Sequence, residues 1–125
     1  MACIGIGGSR GRYKRGRAIA LQASKIGQMF AVCDCDHLHK EEFNAKFDGK
    51  LNEYTDYRKL FENEKRDVVT IGTPGHWHVP IAVHALEAGG HVSCQSPLTL
   101  AIAEGKIIRE AATNRPTLYS REKAK

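Results

Sequence analysis

Short apolar runs rich in β-branched residues alternate along this chain with longer segments of helical periodicity, and Gly, Asp, Asn or Pro stands at each junction. This alternation is typical of βαβ units, in which a helix carries the chain back so that successive strands pair in parallel. Strands are predicted at residues 2–7, 29–34, 67–72, 91–95 and 117–120, and helices at residues 17–26, 38–47, 57–63, 76–88 and 101–113. The pattern therefore predicts an α/β protein with a parallel sheet.

Composition narrows the class of protein. A chain of 125 residues, 42% of them hydrophobic, suits one compact domain, here residues 1–120 with a charged tail at 121–125. The longest apolar runs are too short to cross a bilayer, and the start lacks the features of a signal peptide, so no membrane association and a cytoplasmic location are expected. The four cysteines are too few for a disulfide-stapled scaffold and are expected to be reduced thiols.

A glycine-rich loop directly follows the first predicted strand and precedes the first predicted helix. It contains Gly5, Gly7 and Gly11, and it is lengthened by Gly8 and Ser9. Residues without a Cβ let the chain turn sharply and let backbone N–H groups approach a diphosphate at the helix N-terminus, where the helix dipole favours anions. The context favours a dinucleotide-binding loop over the alternative of a plain glycine turn.

An acidic residue, Asp34, ends the second predicted strand, close to the ~20 residues after the glycine loop at which a ribose-binding carboxylate is expected. A carboxylate there repels a 2′-phosphate, which favours NAD over NADP. NADP remains an alternative because Arg10, Arg12 and His37 could lie close enough in the fold to compensate the charge of that phosphate. The other interpretation of Asp34 is a turn residue at the end of a strand.

Two further patterns in the sequence carry alternative functions. Cysteine and histidine occupy every second position at Cys33, Cys35, His37 and His39. Alternate residues of a strand lie ~6.6 Å apart, so these four side chains would not surround one metal ion, and no metal site is predicted.

The other pattern is a basic cluster within the glycine loop and the start of the first helix, made of Arg10, Arg12, Lys14, Arg15 and Arg17. It is compatible with nucleic-acid binding, but no second basic stripe or set of stacking aromatic residues accompanies it. A solvated face beside an anionic cofactor is the preferred interpretation, and nucleic acid is not an expected partner.

Two histidines and the only tryptophan, at His76, Trp77 and His78, follow Thr73 and Pro74 after the strand with the strongest signal. The carboxyl ends of strands are where open α/β sheets bind ligands. Each of these residues alone would be explained by packing or by a backbone hydrogen bond. Together with the neighbouring loops they predict one wall of a pocket.

The sequence resembles the Gfo/Idh/MocA family of nicotinamide-dependent oxidoreductases from Ala2 to about Thr113. The similar stretches are residues 3–8, 31–34, 54–58, 67–69, 73–78 and 85–89. The resemblance implies a three-layer Rossmann fold with a mainly parallel, doubly wound sheet that holds NAD or NADP. It also implies a reversible oxidation of a sugar or cyclitol hydroxyl, and that the substrate-binding domain of such enzymes is missing from a truncated chain.

The resemblance also implies roles for individual residues. The diphosphate loop would comprise Gly5, Gly7, Gly8, Ser9 and Arg10, and Asp34 would hold the adenosine ribose. The nicotinamide half would contact Thr73, Pro74, His76, His78, Gln95 and Pro97.

The sequence departs from this family at one chemically important motif. The family's Glu-Lys-Pro tripeptide is replaced by Gln95, Ser96 and Pro97, so no catalytic residue is intact. Loss of a positioned acid or base typically costs ~10² to 10⁴ in rate, which predicts impaired catalysis with retained cofactor binding. The alternative is a non-catalytic nucleotide-binding or interaction module that associates with itself or with another chain.

Overall fold

The computed structural model describes residues 1–7, 15–64, 67–95, 97, 99–113 and 119–121, the last three by their backbone. Within these ranges the strands are β1 (Ala2–Ile4), β2 (Ala31–Cys33), β3 (Asn52–Tyr54), β4 (Val68–Ile71), β5 (His91–Cys94) and β6 (Tyr119–Arg121). The helices are α1 (Arg15–Ser24), α2 (His37–Ala45), α3 (Tyr57–Asn63), α4 (His78–Glu87) and α5 (Ile102–Thr113). A single 3-10 turn, Gly75–Trp77, precedes α4.

The six strands form one sheet in the order β3-β2-β1-β4-β5-β6, and every neighbouring pair is parallel. The chain starts in the centre, winds outward through β2 and β3, and returns to place β4 on the other side of β1. This doubly wound order confirms the predicted α/β Rossmann fold. In such sheets a ligand crevice forms at the carboxyl ends of the strands where the winding reverses, here between β1 and β4.

Apolar side chains cover both faces of the sheet. Ile4 belongs to a buried cluster with Leu60 of α3, whereas its neighbour Cys3 belongs to a second cluster with Ala20 of α1 and Phe43 of α2. Successive residues of a strand point to opposite faces, so the two clusters are separate layers of core on either side of the sheet. Leu60 and Phe43 are fully buried, and truncating either to alanine should cost about 2–5 kcal/mol of stability.

Strand β3 was not predicted from the sequence. It contains Asn52, Glu53 and Tyr54, none of which is β-branched, and its first two residues are exposed at the edge of the sheet. Parallel pairing with β2 determines its conformation, and the amide of Asn52 donates to the carbonyl of Phe30 at 2.9 Å. Tertiary context therefore overrides a weak local preference.

Several helix boundaries differ from the predicted ones by one or two residues. Helix α1 begins and ends two residues earlier than predicted, at Arg15 and Ser24, which leaves Ile26 outside it and 89% exposed. Leu38, in the first turn of α2, is 67% exposed. The predicted helix at residues 76–88 begins at His78, after the 3-10 turn. None of the helices in the described ranges is long and apolar enough to cross a membrane.

Candidate functional site

The loop after β1 begins with two glycines in a left-handed conformation, Gly5 with φ of 73° and Gly7 with φ of 68°. A Cβ on Gly5 would lie 2.6 Å from the backbone nitrogen of Thr73, which follows β4. Glycine is needed here both for the backbone conformation and for the close approach of the two segments. This is the position between β1 and β4 where the sheet reverses its winding.

A second pair of glycines allows α1 to pack closely against the sheet. A Cβ on Gly16, in the first turn of α1, would overlap the carbonyl oxygen of Gly5, and a Cβ on Gly72 would overlap the Cα of Gly16. Neither residue was identified from the sequence. A glycine within a helix costs about 1 kcal/mol relative to alanine, so Gly16 was a detectable sign of close packing. Gly11 lies outside the described residues.

The carboxylate of Asp34 is bound to the start of the glycine loop. Its Oδ2 accepts from the amides of Ile6 and Gly7 at 3.0 and 3.1 Å, and its Oδ1 accepts from the amide of Asp36 at 2.9 Å. A carboxylate offers about four lone-pair positions, so one remains on Oδ1 for a further donor such as a ribose hydroxyl. His39 lies beside it, with Nδ1 3.6 Å from Oδ1.

The first amides of the loop therefore have partners within the protein. The amide of Gly5 donates to the carbonyl of Cys33 at 2.8 Å, and those of Ile6 and Gly7 donate to Asp34. These bonds hold the start of the loop in shape and occupy the amides of Gly5, Ile6 and Gly7. Gly8, Ser9 and Arg10, the other residues predicted to contact the diphosphate, lie outside the described residues.

Arg17 differs from the solvated cation that the sequence predicts. It is buried, and its guanidinium donates to the carbonyl of Gly7 at 3.3 Å and to Glu42 of α2 at 3.2 Å. Its Cζ lies 5.7 Å from the centroid of the Phe43 ring, and its Nε has no hydrogen-bond partner in the described ranges. Arg17 thus ties the glycine loop to α2 and is unavailable as part of a nucleic-acid surface. Arg10, Arg12 and Lys14 lie outside the described residues.

Two polar side chains are left without partners at the carboxyl ends of β4 and β5. Thr73 Oγ1 and Gln95 Oε1 are both buried, and neither has a hydrogen-bond partner among the described residues. The amide of Gln95 donates to the carbonyl of Ile71 at 2.9 Å, which places the two segments next to each other. Buried polar atoms are almost always hydrogen-bonded in folded proteins, so this pair indicates a ligand that supplies the missing partners.

The histidines after β4 lie in different surroundings. His76 and Trp77 are exposed in the 3-10 turn, with their ring centroids 5.7 Å apart. His78 is buried, and each of its ring nitrogens lies within hydrogen-bonding distance of a backbone carbonyl, those of Thr73 and Pro97. His78 therefore supports the segments of Thr73 and Pro97 from the protein interior, and neither of its ring nitrogens is free for a ligand. Pro74 is exposed at the start of the 3-10 turn, and Ser96 lies outside the described residues.

The alternating cysteines and histidines are separated in the structure. Cys33 is buried and Cys35 is exposed, while His37 pairs with Glu41 at 3.1 Å. Burial raises the pKa of the Cys33 thiol to about 12, which keeps it from acting as a thiolate ligand at neutral pH. Among the described residues no three side chains of the metal-binding types converge. All four cysteines are free thiols.

The polar groups described above fit a dinucleotide. A carboxylate with one free lone pair follows β2, and two unpartnered polar atoms follow β4 and β5. The glycine loop after β1 lies between them in the order of the sheet. This arrangement provides acceptors for a ribose at one end and polar contacts for a second ring at the other.

Comparison with known proteins agrees with this geometry. Residues 1–122 match the family model of the Gfo/Idh/MocA proteins, an oxidoreductase family with an NAD-binding Rossmann fold. Levoglucosan dehydrogenase of Pseudarthrobacter phenanthrenivorans is 36% identical over 71 residues, which are 57% of this chain and 18% of that protein.

Solved structures share the fold. Myo-inositol 2-dehydrogenase from Lactobacillus plantarum superposes with a TM-score of 0.84 at 24% identity, over 97% of this chain and 35% of that one. The WlbA dehydrogenase of Bordetella pertussis, in complex with NADH and UDP-GlcNAcA, gives a TM-score of 0.80 at 17% identity, over 97% and 36% of the two chains. The chain thus spans about a third of the length of these structures. It belongs to the Gfo/Idh/MocA family of oxidoreductases and carries that family's NAD-binding Rossmann fold.

Proposed function

We propose that this chain binds NAD across the carboxyl ends of β1, β2, β4 and β5, as the cofactor half of an oxidoreductase that acts on sugar or cyclitol hydroxyls. The observation that carries the proposal is the buried pair Thr73 Oγ1 and Gln95 Oε1, which lack hydrogen-bond partners in the part of the chain that the structure describes. The substrate class rests on the names of the relatives, a levoglucosan dehydrogenase and a myo-inositol 2-dehydrogenase.

In the adenosine half, Oδ1 of Asp34 uses its remaining lone pair to accept a hydrogen bond from a ribose hydroxyl. Two amides already fix its carboxylate through Oδ2, so the ribose meets an acceptor whose direction is set in advance. A second negative charge, as on the 2′-phosphate of NADP, would be repelled by this carboxylate. The proposed preference is therefore for NAD. Gly5, Gly7, Gly8, Ser9 and Arg10 form the loop around the diphosphate.

In the nicotinamide half, Thr73 and Gln95 supply the polar contacts, while Pro74, His76 and Pro97 form the adjacent wall. His78 supports this wall from within the protein. When bound, the dinucleotide supplies the group that accepts or donates the hydride. The residues of this chain bind and orient it at the reversal point of the sheet.

The site lacks the residue that would transfer a proton in the family's reaction. The family's lysine position holds Ser96, whose hydroxyl has no charge and does not titrate near neutral pH. Without a positioned acid or base the reaction would be slower by ~10² to 10⁴. Impaired catalysis with retained cofactor binding is therefore the expected behaviour. The same replacement favours the second candidate function, a nucleotide-binding module that performs no turnover.

Association with a second copy of the chain is part of the proposal. Trp77, Leu100 and Ile102 are large apolar residues with 46%, 61% and 85% of their surfaces exposed. Exposed apolar groups of this size near a ligand crevice often mark an interaction surface. Sedimentation should show self-association at high micromolar concentration, and a clean monomer would contradict it.

Titration with NADH and NADPH tests the proposed cofactor. Trp77, the only tryptophan, is partly exposed next to the nicotinamide half, so its emission reports on that end of the crevice. NADH should quench this emission with energy transfer to the nicotinamide, and NADPH should do so only at higher concentration. No change with either ligand at millimolar concentration would contradict the proposal.

A further inference from the structure

His78 connects the two segments that form the nicotinamide half of the crevice. It is the first residue of α4, and only 1% of its surface is exposed. Its Nδ1 lies 2.6 Å from the carbonyl oxygen of Pro97, which follows β5, and its Nε2 lies 2.7 Å from that of Thr73, which follows β4. One imidazole ring therefore spans the gap between the two segments.

The chemistry of the two contacts defines the donors. A carbonyl oxygen only accepts hydrogen bonds, so each ring nitrogen must provide an N–H for its contact to be a bond. A neutral imidazole donates from one nitrogen, and only the protonated ring donates from both. Both distances are at or below the short end of the usual N–H···O range, so the ring fits closely between the two segments.

The two segments that His78 joins also carry the unpartnered polar atoms. Thr73 provides both a carbonyl to the ring and the free Oγ1, and Gln95 with its free Oε1 lies two residues before Pro97. A fixed separation between the segments therefore fixes the separation of these two side chains.

We propose that His78 is a positioning residue whose ring bridges the carbonyls of Thr73 and Pro97 and thereby sets the distance between Thr73 and Gln95 for the nicotinamide half of the ligand. The inference rests on the proposed function, because it assumes that NAD occupies the crevice. His78 is buried and both of its nitrogens are occupied, so it acts through its neighbours and does not touch the ligand.

Three substitutions of His78 distinguish the contribution of its contact with Pro97 from that of its contact with Thr73. His78→Asn keeps a donor near the position of Nδ1, His78→Gln keeps one near Nε2, and His78→Leu removes both. Affinities of the full chain for NADH and for ADP, which has no nicotinamide, are measured by calorimetry. The Kd for NADH should rise about tenfold in His78→Leu and less in the other two variants, whereas the Kd for ADP should change less than about twofold.

His84 provides a matched control on the same helix. It is partly buried, and its ring centroid lies 5.7 Å from that of Tyr57 and 5.0 Å from that of Phe61, both on α3. The substitutions His84→Leu and His84→Gln should lower Tm while leaving the ratio of NADH to ADP affinity unchanged. A change in that ratio in the His78 variants alone would support the positioning role.

The outcomes separate this inference from the proposed function. If wild-type protein binds NADH and His78→Leu binds it equally well, the inference is overturned. It is also overturned if the variants lose NADH and ADP affinity equally, because that result shows only general loosening. If the wild-type protein binds neither ligand, the proposed function itself fails.

A spectroscopic measurement tests the bridge when a variant does not fold. The ¹H–¹⁵N spectrum of the wild-type histidine rings should show a slowly exchanging, hydrogen-bonded ring proton assigned to His78. A spectrum in which every ring proton of His78 exchanges rapidly with water would overturn the bridge.

Discussion

The two halves of the crevice satisfy their polar groups in different ways. On the β1–β2 side, the amides of Gly5, Ile6 and Gly7 and the carboxylate of Asp34 all have partners within the protein. On the β4–β5 side, Thr73 Oγ1 and Gln95 Oε1 are buried and have no partners among the residues that the structure describes. Under the proposed function, the adenosine half is therefore formed by the fold alone, whereas the nicotinamide half is completed by the ligand.

Because of this difference, removing a polar group should change the stability of the fold in opposite directions on the two sides of the crevice. A polar group that is bonded within the protein stabilises the fold, and removing it leaves its partners unsatisfied. A buried group without a partner instead costs about 1–3 kcal/mol, which a ligand can recover. Substitutions on the two sides should thus affect folding with opposite sign and binding with the same sign.

The largest effect is expected where α1 packs against the glycine loop. Gly16→Ala places a Cβ against the carbonyl of Gly5 and should lower the free energy of unfolding by about 3 kcal/mol. Gly105→Ala in α5 is the matched control, because nothing lies within 4 Å of its Cβ, and it should raise stability by about 0.5–1 kcal/mol. Urea denaturation measures both, and equal effects of the two substitutions would contradict close packing at Gly16.

The second largest effect on stability is expected for the substitution Asp34→Ala, on the β1–β2 side of the crevice. It leaves the amides of Ile6 and Gly7 without their acceptor and should lower the free energy of unfolding by about 2 kcal/mol. The affinities for ADP and NADH should both fall about tenfold, since both ligands contain the adenosine ribose. Asp34→Asn, which keeps one oxygen acceptor, should lose less of each. Unchanged stability in Asp34→Ala would contradict the described role of the carboxylate.

The substitution Thr73→Val, on the β4–β5 side of the crevice, should change the free energy of unfolding in the opposite direction. It removes the unpartnered hydroxyl with little change in volume and should raise the free energy of unfolding by about 1 kcal/mol. The affinity for NADH should fall by a few fold while that for ADP stays the same. Thr73→Ser keeps the hydroxyl and serves as the control. A loss of stability in Thr73→Val would show that Oγ1 has a partner in the free protein.

The smallest effect concerns thiol labelling beside Asp34. Cys35 is exposed, whereas Cys3 and Cys33 are buried and burial raises the pKa of both thiols, so Cys35 should react fastest at pH 8. Saturating ADP or NADH should slow its labelling a few fold, and by the same factor. Protection by NADH alone would contradict the assignment of this side to the adenosine half.

The sequence was sufficient to predict the α/β architecture and to formulate a hypothesis about the site. The β-branched residues Val68 to Ile71 marked β4, and the position of the glycines between a strand and a helix marked the loop. Asp34 was identified from its distance to that loop. These features depend on local sequence, so they can be predicted without the rest of the structure.

Other features depend on contacts between distant segments and could not be predicted in this way. The edge strand β3 forms because β2 offers it a partner, although its own residues have little strand preference. The burial of Arg17 depends on Gly7 of the glycine loop and on Glu42 and Phe43 of α2, which are distant from Arg17 in the sequence. The sequence allowed a backbone hydrogen bond for His78, but it did not indicate that both ring nitrogens would lie against carbonyls from two different segments.

A crystal structure of the chain grown with millimolar NADH tests the central claim most directly. The ribose of the adenosine should lie on Oδ1 of Asp34, and the nicotinamide end should lie within hydrogen-bonding distance of Thr73 Oγ1 and Gln95 Oε1. A crevice that stays empty at saturating NADH, or a ligand bound away from these atoms, would contradict the account.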